Sequence, residues 1–160
     1  MNNFDNRISS EVIWHFSHIQ KTGGTSLGSH LSSFCPKEQI WPHRFEFELK
    51  DDPNVMQYRL FWGHVSPAAL LEYFPEFRLI TFLRNPAERL ISAFYYWKEN
   101  AEANRQSLFF QRIAEMDFLD FLKSDEPMIR NAVFNVQSRL LGGGDSVPQT
   151  IRELALLDHI

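Results

Sequence analysis

A nearly continuous apolar run at residues 12–18 passes through Ile19 into Gln20-Lys21-Thr22-Gly23-Gly24-Thr25-Ser26, and a helical pattern follows over residues 26–34. A strand rich in β-branched and aromatic residues, apolar on both faces, suits the buried centre of a parallel sheet better than a surface hairpin. Gly23 and Gly24 lack a Cβ, so the backbone can turn tightly there and approach a ligand closely. The helix that starts after them offers unpaired N–H groups and the positive end of its dipole. Lys21 adds a mobile full charge, and Thr22, Thr25 and Ser26 add hydroxyls. The turn is therefore a cradle for a phosphate-like anion.

The rest of the chain repeats the alternation. Residues 58–62 read as a strand closed by Gly63-His64, with a weaker strand signal around Ile40-Trp41. Ser66-Pro67 opens a helix, Ser at the N-cap and Pro in the first turn, that runs to about Tyr73. Residues 77–83 form a third strand, followed by Arg84 and then Asn85-Pro86-Ala87-Glu88, a variant capping box that starts a helix reaching to about Asn104. Apolar spacing predicts one helix over 108–123 and another over 127–141, broken at Gly142-Gly-Gly144. The 109–122 segment is expected to pack on the sheet. Residues 1–10 read as loose, and the tail from Thr150 as helical. Strands alternating with helices through short connections imply an α/β fold with a parallel sheet. With 160 residues and 44% hydrophobic content, residues 1–160 make one domain with a sizeable core.

A second anion-competent turn lies at Arg84 to Ser92, again after a strand. Ligands of open α/β sheets bind at that edge, and two helix starts there would aim at one crevice. A ligand with two separated anionic groups fits this better than a single phosphate. Taken singly, Arg84 and Arg89 read as surface cations and Ser92 as a helix filler; their place beside the lysine-glycine turn favours a site. The nucleotide P-loop pattern, Gly-x-x-x-x-Gly-Lys-Ser/Thr, is absent, since Lys21 precedes its glycines. No Asp ends an apolar strand in a place to hold Mg²⁺, so a ligand needing no metal is favoured over ATP. The net charge of −4 argues against nucleic acid as a partner. The single cysteine, Cys35, excludes an intrachain disulfide and reads as a small, partly buried hydrophobe. No secretory signal and no apolar run near the ~20 residues of a membrane helix is visible, so a reducing, cytoplasmic setting is expected.

His18-Ile-Gln-Lys-Thr-Gly-Gly-Thr-Ser-Leu27 resembles the 5′-phosphosulfate loop of sulfotransferases that use 3′-phosphoadenosine 5′-phosphosulfate (PAPS). Phe82-Leu-Arg-Asn-Pro-Ala-Glu-Arg-Leu-Ile-Ser-Ala-Phe94 is similar to their 3′-phosphate motif, in the variant of the heparan-sulfate 2-O and 6-O carbohydrate enzymes and their bacterial relatives. Asn135-Val-Gln-Ser-Arg-Leu-Leu141 resembles a later family segment, usually Asn-x-Gln-Thr-Arg. Gln20 stands where Pro is usual, Asn85 where Asp is common and Ser138 where Thr is common. Relatives continue with further helices, so a C-terminal truncation is expected.

The resemblance implies a three-layer P-loop-NTPase-like fold, its central parallel sheet flanked by helices. It also implies sulfuryl transfer from PAPS to a hydroxyl of a carbohydrate or polysaccharide acceptor by in-line displacement, with no metal. Lys21 would stabilise charge on the leaving oxygen. Backbone N–H groups of residues 22–26 (Thr22, Gly23, Gly24, Thr25, Ser26) and the hydroxyls of Thr25 and Ser26 would hold the 5′-phosphate. Arg84 and Ser92 would hold the 3′-phosphate. His64 ends a strand on the same side of the sheet as Lys21, matches by position the base proposed for the 2-O-type enzymes, and can accept a proton as neutral imidazole. His15 and His18 read as core or turn residues, and a two-histidine metal site lacks a third ligand. Arg139 either reaches phosphate or braces the fold. Of Tyr95, Tyr96 and Trp97, only part can face one site, because consecutive helical residues point apart, and most of the trio is expected in the core. The alternative from another class is a non-catalytic nucleotide-binding relative or an inactive fragment. The acceptor, the position sulfated and the oligomeric state are not legible.

Overall fold

Three short parallel strands pair in the order β2-β1-β3, with β1 (Trp14–Ser17) between β2 (Leu60–Gly63) and β3 (Arg78–Thr81). The computed structural model describes residues 12–142, so the expectations for residues 1–10, the Gly143-Gly144 break and the tail from Thr150 lie outside the described residues. Register aligns Ser17 with Gly63 on one side and with Thr81 on the other, so all three strands end level. Hydrogen bonds lock that edge: Thr81 Oγ1 donates to the Ser17 carbonyl at 2.9 Å, and the Ser17 hydroxyl to the Val65 carbonyl at 3.2 Å. Sequence order runs outward from β1 in both directions, which makes its carboxyl end the switch point where open α/β sheets bind ligands.

Each strand delivers its chain to a helix. α1 (Gly24–Ser32) follows β1, α2 (Pro67–Leu71) follows β2 and α3 (Pro86–Glu99) follows β3. The Ser66 hydroxyl accepts from the Ala69 N–H, and the Asn85 side-chain Oδ1 accepts from the N–H groups of Ala87 and Glu88, so both expected N-caps are present. The reciprocal arm of the Asn85 box is replaced, because the Glu88 carboxylate pairs with Arg84 at 3.4 Å. The weak strand at Ile40-Trp41 is a lone parallel bridge from Ile40 to Leu60.

The two long helices expected later in the chain are each broken in two. α4 (Leu108–Glu115) and α5 (Phe118–Lys123) are separated where Asp117 caps α5 by accepting the Asp120 N–H at 2.8 Å. α6 (Pro127–Val133) and α7 (Val136–Gly142) are separated at Asn135, which takes the left-handed conformation (φ 46°) that Asn tolerates better than most residues. Arg139 braces this turn by donating to the carbonyls of Phe134 and Asn131.

Among the described residues two hydrophobic clusters hold the elements together. Trp41, Leu49, Phe61, Val65, Leu70, Phe74 and Phe77 fill the space between β2, α2 and the irregular segment before β2. Phe94, Trp97, Ile113, Phe121 and Ile129 form a second core among α3, α4, α5 and α6. The Phe-rich segment therefore packs on α3, and the expectation that it packs on the sheet is corrected. α3 contributes Leu90, Ala93, Phe94 and Trp97 to that layer. α7 returns against α2. No helix among the described residues is long and apolar enough to cross a membrane.

Candidate functional site

β1 hands the chain over at His18, whose N–H donates to the Gly63 carbonyl at 2.8 Å, and buried Ile19 anchors the next step. The turn then takes left-handed backbone at Lys21 (φ 66°) and Gly23 (φ 88°). At Lys21 that conformation is strained, as it is for any residue with a Cβ. A Cβ on Gly24 would lie 2.2 Å from the His18 ring, so only glycine fits there. α1 begins at Gly24, two residues earlier than the sequence pattern suggests, with Gly23 as its N-cap. No side chain caps this start and its first turn holds no acidic residue, which leaves the N–H groups of the first turn open to an external anion. The Thr22 hydroxyl turns inward and donates to the Ile19 carbonyl at 2.8 Å.

The second turn meets the first. An Arg84 guanidinium N–H lies 3.4 Å from the Lys21 carbonyl, tying the loop after β3 to the loop after β1. The Arg84 backbone is gripped on both sides by one side chain: its N–H donates to Gln137 Oε1 at 3.0 Å, and its carbonyl accepts from Gln137 Nε2 at 2.9 Å. Gln137 comes from α7, more than fifty positions along the chain; it lies in the segment that resembles the family's Asn-x-Gln-Thr-Arg, but that resemblance did not say what the side chain contacts. Loss of the clamp in Gln137→Ala should free the Arg84 loop and weaken binding of a doubly phosphorylated nucleotide about tenfold; unchanged affinity by calorimetry would contradict that role.

His64 follows β2. Its backbone N–H donates to the Arg44 carbonyl at 2.7 Å, and Phe45 bridges to it in parallel fashion. His64 Nδ1 lies 2.6 Å from the His18 carbonyl, which can only accept, so in the neutral ring the proton sits on Nδ1 and the lone pair on Nε2. Burial lowers the His64 pKa, against the opposing hydrogen bond to the His18 carbonyl, so the ring is neutral at pH 7. The His18 ring stacks on it with centroids 5.1 Å apart and has its own pKa lowered to about 4, by burial first and then by His64 and Arg44.

His15 is fully buried, with its ring edge-on to Phe77. Among the described residues no partner meets its nitrogens in full hydrogen-bond geometry; the nearby Val65 carbonyl only partly offsets burial, which pulls the pKa to about 3. For His15 and His18 the folded values lie below the ordinary 6.5, so the unfolded chain binds protons that the folded chain excludes. Their contribution to stability is complete above pH 6.5 and is lost as the pH falls toward about 4 and then about 3. The melting temperature should drop through that window and drop less steeply in His15→Leu. Parallel curves for the two proteins would contradict the assignment.

A cavity of about 840 Å³ opens where the three strands end, and its lining brings together Lys21, Gly23, Gly24, Thr25, Ser26, His64, Arg84 and Ser92. Thr22 is the expected loop residue outside that lining. The volume lies in the range of small-molecule sites. Lys21 and Arg84 contribute two cations, and among the described residues the lining contains no carboxylate, Glu88 reaching only the Arg84 guanidinium from outside it, so the cavity favours anions. Tyr96 and Trp97 line it while Tyr95 does not, as helical geometry required. Tyr95 and Tyr96 are exposed, however, and only Trp97 of the trio is in the core. Phe109 and Phe110, read from the sequence as packing alone, also face the cavity.

Arg89 corrects its reading as a surface cation. It is 3% exposed, and it lines a smaller neighbouring cavity with Gln20, His64 and Trp97. Cys35 is buried, as expected, and burial pushes its thiol pKa up.

A family model described as the sulfotransferase family matches residues 9–140. No curated protein and no solved structure matches the chain.

Proposed function

The chain belongs to the sulfotransferase family, and on that premise we propose that it moves a sulfuryl group from PAPS to a hydroxyl of a carbohydrate acceptor. The observation that carries the reading is the meeting of two anion-competent turns in one cavity whose described lining holds no carboxylate. The open N–H groups at the start of α1, the glycine that alone fits beside His18, and the Arg84–Ser92 turn suit a nucleotide bearing phosphates at two positions. PAPS supplies the activated sulfuryl group and those two phosphates.

The residues divide the work. The first-turn N–H groups of α1 with the Thr25 and Ser26 hydroxyls hold the 5′-phosphate, at the positive end of the helix dipole. Arg84 and Ser92 hold the 3′-phosphate, arginine being able to pair two oxygens at once. His64 takes the acceptor proton at Nε2, the nitrogen left free by the bond to His18. Lys21 stabilises the negative charge that builds on the oxygen leaving sulfur. Phe45 and Phe47 favour a sugar as acceptor. Both are exposed, their rings are stacked 5.7 Å apart, and Phe45 lies 5.6 Å from the His64 ring, so they offer aromatic faces to the apolar side of a pyranose.

Labelled-sulfate transfer from PAPS to a panel of oligosaccharides tests the reading. Labelled saccharide is the expected product. Bisphosphate binding without transfer to any hydroxyl would leave the non-catalytic binder standing in its place.

A further inference from the structure

Lys21 presents an unusual arrangement for a cavity cation. Its Nζ stands 3.9 Å from the centroid of the Tyr96 ring, and no carboxylate or carbonyl pairs with it among the described residues. Tyr96 is 46% exposed, lines the same cavity and sits one helical turn beyond Ser92 on α3. The Lys21 backbone is fixed from the other side by its left-handed φ and by Arg84 at its carbonyl. A lysine side chain left alone samples many rotamers, so a fixed backbone does not by itself fix the ammonium.

We propose that the face of Tyr96 is the seat of the Lys21 ammonium, which makes Tyr96 a positioning residue for the transfer reaction. An aromatic face attracts a cation through its quadrupole without cancelling the charge. A carboxylate in the same place would neutralise Lys21 and repel an arriving anion. The ring therefore narrows the ammonium's range while leaving its full charge available to the leaving oxygen. A cation–π contact is also weaker than a contact with a developing anion, so it yields when that charge appears. The kinetic part of this inference rests on the proposed function; the seat itself does not.

Two readouts test it separately. In NMR spectra of the protein, the Lys21 ε-methylene protons should be shifted upfield by the ring. The shift should persist in Tyr96→Phe, which keeps the π face, and disappear in Tyr96→Leu. Absence of the shift in the unsubstituted protein overturns the proposal whether or not the protein transfers sulfate. In transfer assays, Tyr96→Leu should lower kcat about threefold to thirtyfold with little change in the KM for PAPS, and Tyr96→Phe should restore it. In the Lys21→Met background, Tyr96→Leu should have no further effect. An equal loss in both backgrounds, or a Phe variant as slow as the Leu variant, overturns the positioning role. A ring-shifted lysine in a protein that transfers no sulfate would leave the seat intact and remove the proposed function instead.

Discussion

Lys21→Met is expected to lower the rate of sulfuryl transfer about a hundredfold or more, while 3′,5′-bisphosphoadenosine binding weakens far less. The asymmetry follows from where the charge is needed. In the proposed mechanism the ground-state phosphates would be shared among the N–H groups of α1, two hydroxyls and Arg84, whereas the charge that appears only as the S–O bond breaks would depend on the Lys21 ammonium. Methionine is a fair replacement because it keeps an unbranched stem and meets the same left-handed backbone (φ 66°) as lysine does. The loop strain is then unchanged and the charge alone is removed. Parallel losses in rate and binding would make Lys21 a general phosphate contact.

His64→Asn should cost about a hundredfold to ten-thousandfold in rate without unfolding the site. Asparagine can place its amide N–H near the position of Nδ1 and keep the donation to the His18 carbonyl seen at 2.6 Å. It has no basic nitrogen at the position of Nε2. The pH dependence gives a second handle, with the sign set by burial. In the proposed mechanism the neutral ring would be the base, and burial lowers the pKa below 6.5, so base would be available above that depressed value and lost as the pH falls through it. The unsubstituted protein should hold its rate to a pH below 6.5, and the acid limb should vanish from the residual activity of the Asn variant. An acid limb that survives the substitution would assign it to another group.

What was legible in the sequence was local. The glycine turn after an apolar strand, the Ser66-Pro67 and Asn85-Pro86 helix starts and the parallel sheet all rest on short-range chemistry, and all are present. The start of α1 at Gly24 was shifted because glycine is a poor helix former, and only its close approach to the His18 ring requires it there. The breaks at Asp117 and Asn135 carried signals, a capping carboxylate and a residue tolerant of positive φ, which an uninterrupted apolar period covered over. The Gln137 clamp, the burial of Arg89 and the seating of Lys21 on Tyr96 join residues from different elements, and no local pattern encodes them. The candidate site was thus readable as a list of residues, while its tautomer and its supports needed three dimensions.

Binding of 3′,5′-bisphosphoadenosine compared with ADP, measured by calorimetry on the unsubstituted protein and on Arg84→Ala, tests the two-turn nucleotide site most directly. The expected result is at least about tenfold tighter binding of the 3′-phosphorylated nucleotide, with the preference lost when Arg84 is removed. Equal affinity for the two nucleotides in the unsubstituted protein would contradict the site, and with it the reading of this chain as a PAPS-dependent enzyme.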